Sequence, residues 1–199
     1  MRTVHPIEAE SYRILNARVD LSALPPLTRA VTERVVHASA DLGYVADLRC
    51  DEGALAAGRA ALLAGRPVVA DVEMVAAGIT RRDLLGPVLC RVADPAASAL
   101  AQEAGITRSA AAARLAADEA GPGAVWVIGC APTALFELLA LDARPALVIG
   151  LPVGFVGAAE SKNALRGSGL PAVTNVSEKG GSAVAAAALN ALLYKEEST

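Results

Sequence analysis

The chain has 199 residues, of which 54% are apolar, 20% charged and 3% aromatic, with a formal net charge of -3. That length suits one domain, and the apolar fraction is too high for a disordered chain. The acidic balance, with pI near 5.4, provides no electrostatic footprint for nucleic acid, so no nucleic-acid partner is expected.

Residues 6–18 read as a helix, opened by Pro6 where a missing N–H costs nothing. Residues 20–26 carry Pro25 and Pro26 and break it. A second helix is predicted over residues 27–42, with Leu27, Val31, Val35, Ala38 and Leu42 on one stripe and Gly43 ending it. A third, over 52–64, closes on Gly65. Beyond it the pattern changes to short apolar runs followed by helical stretches. Strands are predicted at 67–70, 88–92, 124–128, 146–149 and 171–175, and their nearly continuous apolarity marks strands covered on both faces. Helices are predicted near 95–104, 109–120, 132–141, 157–165 and 182–194. The expectation is an α/β fold: one domain over residues 1–199, with a mostly parallel β-sheet flanked by helices on both faces and N-terminal helices preceding the sheet.

Other classes fall away. The most apolar stretch, residues 183–194, is interrupted by Asn190, so no membrane span is expected. Residues 1–6 lack the apolar segment of a signal peptide. Cys50, Cys90 and Cys130 are widely spaced and without nearby histidine, so they read as reduced core thiols and not as disulfides or metal ligands. A cytoplasmic protein is expected. The dinucleotide, P-loop, serine-elbow and H-E-x-x-H patterns are all missing; Gly150, Gly154 and Gly157 have the spacing G-x-x-x-G-x-x-G.

In an open parallel sheet, ligands bind outside the carboxyl ends of the strands. Small residues open helices there in 129–133, 150–157 and 179–182, and a further such turn, 105–109, follows a helix. Glycine permits close approach of backbone N–H groups, and helix N-termini favour anions. Arg108, Lys162 and Lys179 would add charged donors, so the implied ligand is anionic, although the same glycines also serve tight turns. His5 reads as solvated. His37 lies about 200° around from the apolar stripe, with Asp41 one turn later. It is either a surface histidine with a weak partner or an imidazole that trades a proton in a pocket shared with another surface, such as a second subunit. Both readings stay open at this level.

Six blocks carry a family resemblance: His37-Ala38-Ser39-Ala40-Asp41, residues 71–78 (Asp-Val-Glu-Met-Val-Ala-Ala-Gly), Thr107-Arg108-Ser109-Ala110, residues 129–135, residues 150–162 ending in Glu160-Ser161-Lys162, and Lys179-Gly180-Gly181-Ser182. In these residues, and in their order, the chain resembles the precorrin-8X methylmutases (precorrin isomerases) over nearly its whole length. The resemblance implies a homodimer with active sites near the interface, and an isomerase of cobalamin biosynthesis. That isomerase moves a methyl group from C-11 to C-12 of precorrin-8X, a polycarboxylate tetrapyrrole, to give hydrogenobyrinate, and no cofactor or catalytic metal is implied. His37 matches the catalytic histidine, expected to protonate or hydrogen-bond a ring nitrogen. Ser11 and Arg108 match positions near the substrate, with Arg108 a carboxylate partner. The other expected substrate-binding residues are Thr107, Gly129, Pro132, Thr133, Gly154, Gly157, Lys162, Lys179, Gly180, Gly181 and Ser182.

Three positions depart from the family pattern. Cys130 and Ile106 stand where asparagine is common, and Glu178 replaces a basic residue close to the expected anion. They motivate as an alternative a non-catalytic tetrapyrrole-binding protein; the same shift on cobalt-precorrin-8, giving cobyrinate, is a separate alternative. Asp71-Val72-Glu73-Met74 looks more like the metal-free branch.

Overall fold

Residues 5–194 are described by a computed structural model of the chain; the reading of the first residues as lacking a signal peptide rests largely on 1–4, outside that range. Six strands form one sheet: β1 (Leu48–Cys50), β2 (Val68–Ala70), β3 (Val88–Leu89), β4 (Val125–Ile128), β5 (Leu147–Gly150) and β6 (Ala172–Asn175). Their order is β1-β6-β5-β4-β2-β3. Every neighbouring pair is parallel except β1 with β6, where Leu48 faces Asn175 and Cys50 faces Val173. The mostly parallel sheet agrees with the sequence reading. β1 was not foreseen: three residues with Arg49 at the centre and no β-branched side chain carry no strand signal.

Side chains alternate between two faces along each strand. On one face Val68, Val125, Val127, Leu147 and Ile149 share a core with α1 (Pro6–Arg18), α2 (Pro26–Ser39), α3 (Tyr44–Asp47), α4 (Glu52–Leu63), α5 (Glu73–Gly78) and α10 (Ser182–Leu193). On the other, Val69, Trp126, Ile128 and Val148 meet α7 (Arg108–Ala120), α8 (Pro132–Ala140) and α9 (Ala158–Gly167). Helix α6 (Pro95–Ala104) packs on α7 through Ala97 and Ala112.

Helix α10 is apolar on all sides, and all of it except Ala183 is buried, as such a helix requires. Small residues let it sit close: a Cβ on Gly129 would lie 2.8 Å from the Ala185 Cβ, and one on Gly78 2.8 Å from the Ala186 Cβ. Asn190, the polar break in this helix, caps the end of α5. It accepts from the Thr80 N–H at 2.8 Å and donates to the Gly78 carbonyl at 2.9 Å. Helix α5 itself is only six residues long and escaped the periodicity reading.

Gly65 is left-handed after α4 as expected, with φ 73. Gly43 does not end α2. Ala40 does so, with φ 54 and its N–H on the Val36 carbonyl, so α2 stops at Ser39 and Tyr44 starts the short α3. Ala38 and Leu42, assigned to the buried stripe, are consequently exposed. Among the described residues, no helix is long and apolar enough to cross a membrane.

Candidate active site

His37 lies in the last turn of α2, and α1 packs over it. The Tyr12 ring stacks on the imidazole with centroids 4.9 Å apart and planes 16° from parallel. Ser11 Oγ lies 2.9 Å from His37 Nδ1. One turn earlier, Arg34 donates to Glu8 at 2.8 Å and to the hydroxyls of Tyr12 and Tyr194 at 3.2 and 3.1 Å, which fixes α1 against α2 and the end of α10. His37 is therefore half-buried and gripped on one side. Asp41 is not its partner, because the carboxylate turns to Lys179 Nζ at 2.7 Å. His5, exposed as expected, caps α1 by accepting from the Ile7 N–H at 3.2 Å.

Burial pushes the His37 pKa below its ordinary value, and the nearby Arg34 charge adds to this against an opposing pull from Glu8. Where the Ser11 hydroxyl donates to Nδ1, the neutral ring carries its proton on Nε2; where Nδ1–H donates to Ser11 Oγ, Nε2 carries the lone pair. Nε2 makes no hydrogen bond among the described residues.

Several predicted residues form one continuous rim. Thr107 caps α7, accepting from the Ala110 N–H at 3.2 Å, and donates from Oγ1 to Thr133 Oγ1 at 2.8 Å. A Cβ on Gly157 would lie 3.5 Å from the Pro132 Cβ, so the loop after β5 abuts the loop after β4. The Gly154 N–H donates to the Glu178 carbonyl at 3.2 Å, and the Gly181 N–H to the Leu151 carbonyl at 2.9 Å. Gly180 passes so close to Leu151 that a Cβ would overlap its carbonyl oxygen. Lys179 then reaches Asp41, just past the helix of His37. Arg108 opens α7, exposed and without an ion pair among the described residues. Helices α9 and α10 start without side-chain caps, which leaves first-turn N–H groups for an anion.

Three expectations need correction. The glycine loop before α8 already holds an anion, Asp71, which accepts from the N–H groups of Gly129 at 3.1 Å and of Cys130 and Ala131 at 2.8 Å. Burial raises the pKa of this carboxyl group, and the N–H donors oppose the rise. Gly129 thus faces Asp71, and Ser182 is buried beside Gly129 at the start of α10. Lys162 is fully buried, so its ammonium does not present itself to a ligand; it donates to Asn175 Oδ1 at 2.9 Å and to the Ser177 and Lys179 carbonyls. Cys130 is exposed, and Cys50 and Cys90 are half-buried, so the thiols are free but are not all in the core. Two of the three family departures fall where the main chain acts: Cys130 contributes its N–H and Glu178 its carbonyl, while the Glu178 side chain is exposed. Among the described residues, no cluster of three or more His, Cys, Asp or Glu is placed to hold a metal ion.

The family model for precorrin-8X methylmutase matches residues 6–195. The chain is 45% identical to the precorrin-8X methylmutase of Pseudomonas aeruginosa, over 99% of this chain and 98% of that one. It is 42% identical to the cobalt-precorrin-8 methylmutase of Salmonella typhimurium, over 94% of this chain and 93% of that one. The crystal structure of precorrin-8X methylmutase from Thermus thermophilus matches with a TM-score of 0.85 at 37% identity, covering 95% of this chain and 96% of that one. With the helices, the sheet and the glycine rim all inside these matches, the chain belongs to the precorrin-8X methylmutase family, isomerases of cobalamin biosynthesis.

Proposed function

We propose that the chain moves a methyl group from C-11 to C-12 of precorrin-8X to give hydrogenobyrinate, with His37 as the proton donor. The observation that carries this reading is the His37 imidazole, fixed by Ser11 and Tyr12 with Nε2 unengaged among the described residues. The migration is intramolecular: the C-11 bond breaks as the C-12 bond forms, and the conjugated ring redistributes the electrons. A donor at a ring nitrogen stabilises the charge that develops there, and a positioned group of this kind contributes about 10²–10⁴-fold. Binding the macrocycle in a reactive shape supplies the remainder.

The substrate carboxylates have suitable partners in Arg108 and in the uncapped N-termini of α9 and α10, with the Thr107 and Thr133 hydroxyls between the loops. Phe155 and Val156, on the loop after β5, are 97% and 89% exposed. A second copy of the chain covering that loop would bury both side chains beside the rim, which supports a homodimer with its active sites near the interface. The protein acts in the cytoplasm in this reading.

An absorbance assay with precorrin-8X and with its cobalt form tests the activity and identifies the preferred substrate. His37→Ala lowers conversion by about 10²–10⁴-fold and keeps macrocycle binding. Full turnover by that variant rejects His37 as the donor, and binding without conversion by the unmodified protein rejects the enzyme.

A further inference from the structure

We propose that Lys162 is a positioning residue: its ammonium clamps residues 177–181 in the shape that the substrate carboxylates meet. The proposal rests on the function just argued and changes the part Lys162 plays in it. With no exposed surface, the side chain acts through the main chain it holds.

The clamp is built from both sides. An ammonium has three N–H donors, and here they meet three acceptors: Asn175 Oδ1 at 2.9 Å, the Lys179 carbonyl at 2.6 Å and the Ser177 carbonyl. Asn175, also fully buried, donates to Asp47 at 2.8 Å and to the Lys179 carbonyl at 2.9 Å. Asp47 accepts in turn from the Val176 N–H at 3.0 Å, the Ser177 N–H at 2.9 Å and the Ser177 hydroxyl at 2.6 Å. The segment is therefore held by α9 through Lys162 and by α3 through Asp47.

What the clamp holds is the part of the rim nearest α2. Glu178 takes the Gly154 N–H, Gly181 gives its N–H to Leu151, and Lys179 extends to Asp41. A neutral amide at position 162 has at most two donors for three converging oxygens. Losing the ammonium would leave buried acceptors unmatched and release both loops together.

Three charged groups act electrostatically on Lys162: Asp47 from α3, Glu178 from the segment itself and Arg166 from α9. Burial brings the Lys162 pKa down to about 8, while the two carboxylates favour the ammonium and Arg166 disfavours it. Above that pH the neutral amine has one donor too few.

The test compares the full-length protein with Lys162→Met and Asp47→Asn, using amide hydrogen exchange and steady-state kinetics, with hydrogenobyrinate as the binding probe. Lys162→Met is expected to speed exchange at Gly154, Val176, Ser177 and Gly181 at least tenfold with β4 and β5 unchanged. It should raise KM and the hydrogenobyrinate Kd about tenfold or more, with kcat within about threefold. In the unmodified protein KM rises above about pH 8. Asp47→Asn moves that rise to lower pH by removing a charge that favours the ammonium, and this arm stands even where Lys162→Met does not fold. Weaker binding with unchanged exchange would overturn the proposal, because Lys162 would then act on the ligand directly. Faster exchange with unchanged KM and Kd would also overturn it, as would a pH limb that Asp47→Asn does not move. Failure of the functional reading appears separately, as unmodified protein that neither binds nor converts the macrocycle while exchange still reports the clamp.

Discussion

The Ser11 hydroxyl sits 2.9 Å from Nδ1 of His37, and this contact holds the ring by one nitrogen and leaves the other for the substrate. A neutral hydrogen bond is worth about 0.5–1.5 kcal/mol, so Ser11→Ala should lower kcat roughly 3- to 10-fold. His37→Ala should lower it by about 10²–10⁴. The double variant should be no slower than His37→Ala alone, since Ser11 works through the ring. Steady-state rates for the three variants check this, and additive losses would assign Ser11 a separate part in catalysis.

His37 should titrate below its ordinary value, because burial and Arg34 both disfavour the imidazolium. The chain has only two histidines, so ring-proton NMR with a His5→Gln variant isolates the signal. Arg34→Met should raise the midpoint, and Glu8→Gln should lower it further. The stability consequence has a definite sign. The unfolded chain binds the proton more readily between the depressed folded midpoint and the ordinary imidazole value of 6.5. Stability from this group therefore rises with pH through that window and is lost on acidification.

Asp71 holds the loop before α8 through three backbone N–H groups. Asn at this position keeps its oxygen on the N–H groups of Cys130 and Ala131 and turns its amide N–H₂ towards the Gly129 N–H. One backbone donor is left unmatched, at about 1–3 kcal/mol. Asp71→Asn should therefore cost about 2 kcal/mol and lower Tm by about 4–8 °C for a chain of this size. Thermal unfolding followed by circular dichroism measures it. A loss below about 1 kcal/mol would mean that water satisfies the loop instead.

Local features made most of the fold legible. Helix α1 occupies the predicted residues, Pro6–Arg18, because Pro6 opens it and the 20–26 segment excludes its continuation. The buried parallel strands stood out because both faces are covered, and they appear as continuous apolar runs. The glycine loops were found by their position after those strands. The identity of the anion at one of them was not, because Asp71 lies 58 residues before Gly129 and only the β2–β4 pairing brings the two together. Lys162 looked like a ligand donor for the same reason: its acceptors are mostly main-chain carbonyls, which leave no mark in a sequence. Tyr12 and Arg34 were missed around His37, although Tyr12 is adjacent to Ser11; no helical periodicity reveals which face of α1 meets α2.

Asn190 shows how one polar residue sets the register of an apolar helix. Helix α10 is buried on all sides and composed largely of alanine, so apolar packing alone distinguishes its axial positions weakly. Asn190 accepts from Thr80 and donates to Gly78, and this pair of bonds is made in one register only. Asn190→Ala removes both, leaving an N–H and a carbonyl unmatched at about 1–3 kcal/mol each. The expected loss is about 2–4 kcal/mol in denaturant unfolding, read by the fluorescence of Trp126, the chain's single tryptophan, which is buried beside α7 and α8. Asn190→Leu should be no better, because added apolar volume does not satisfy the two backbone groups. Exchange at the Thr80 amide should rise in both variants ahead of the global transition, since α5 is the short element that the cap secures. If Asn190→Leu were as stable as the unmodified protein, alanine packing alone would be holding α10 in register.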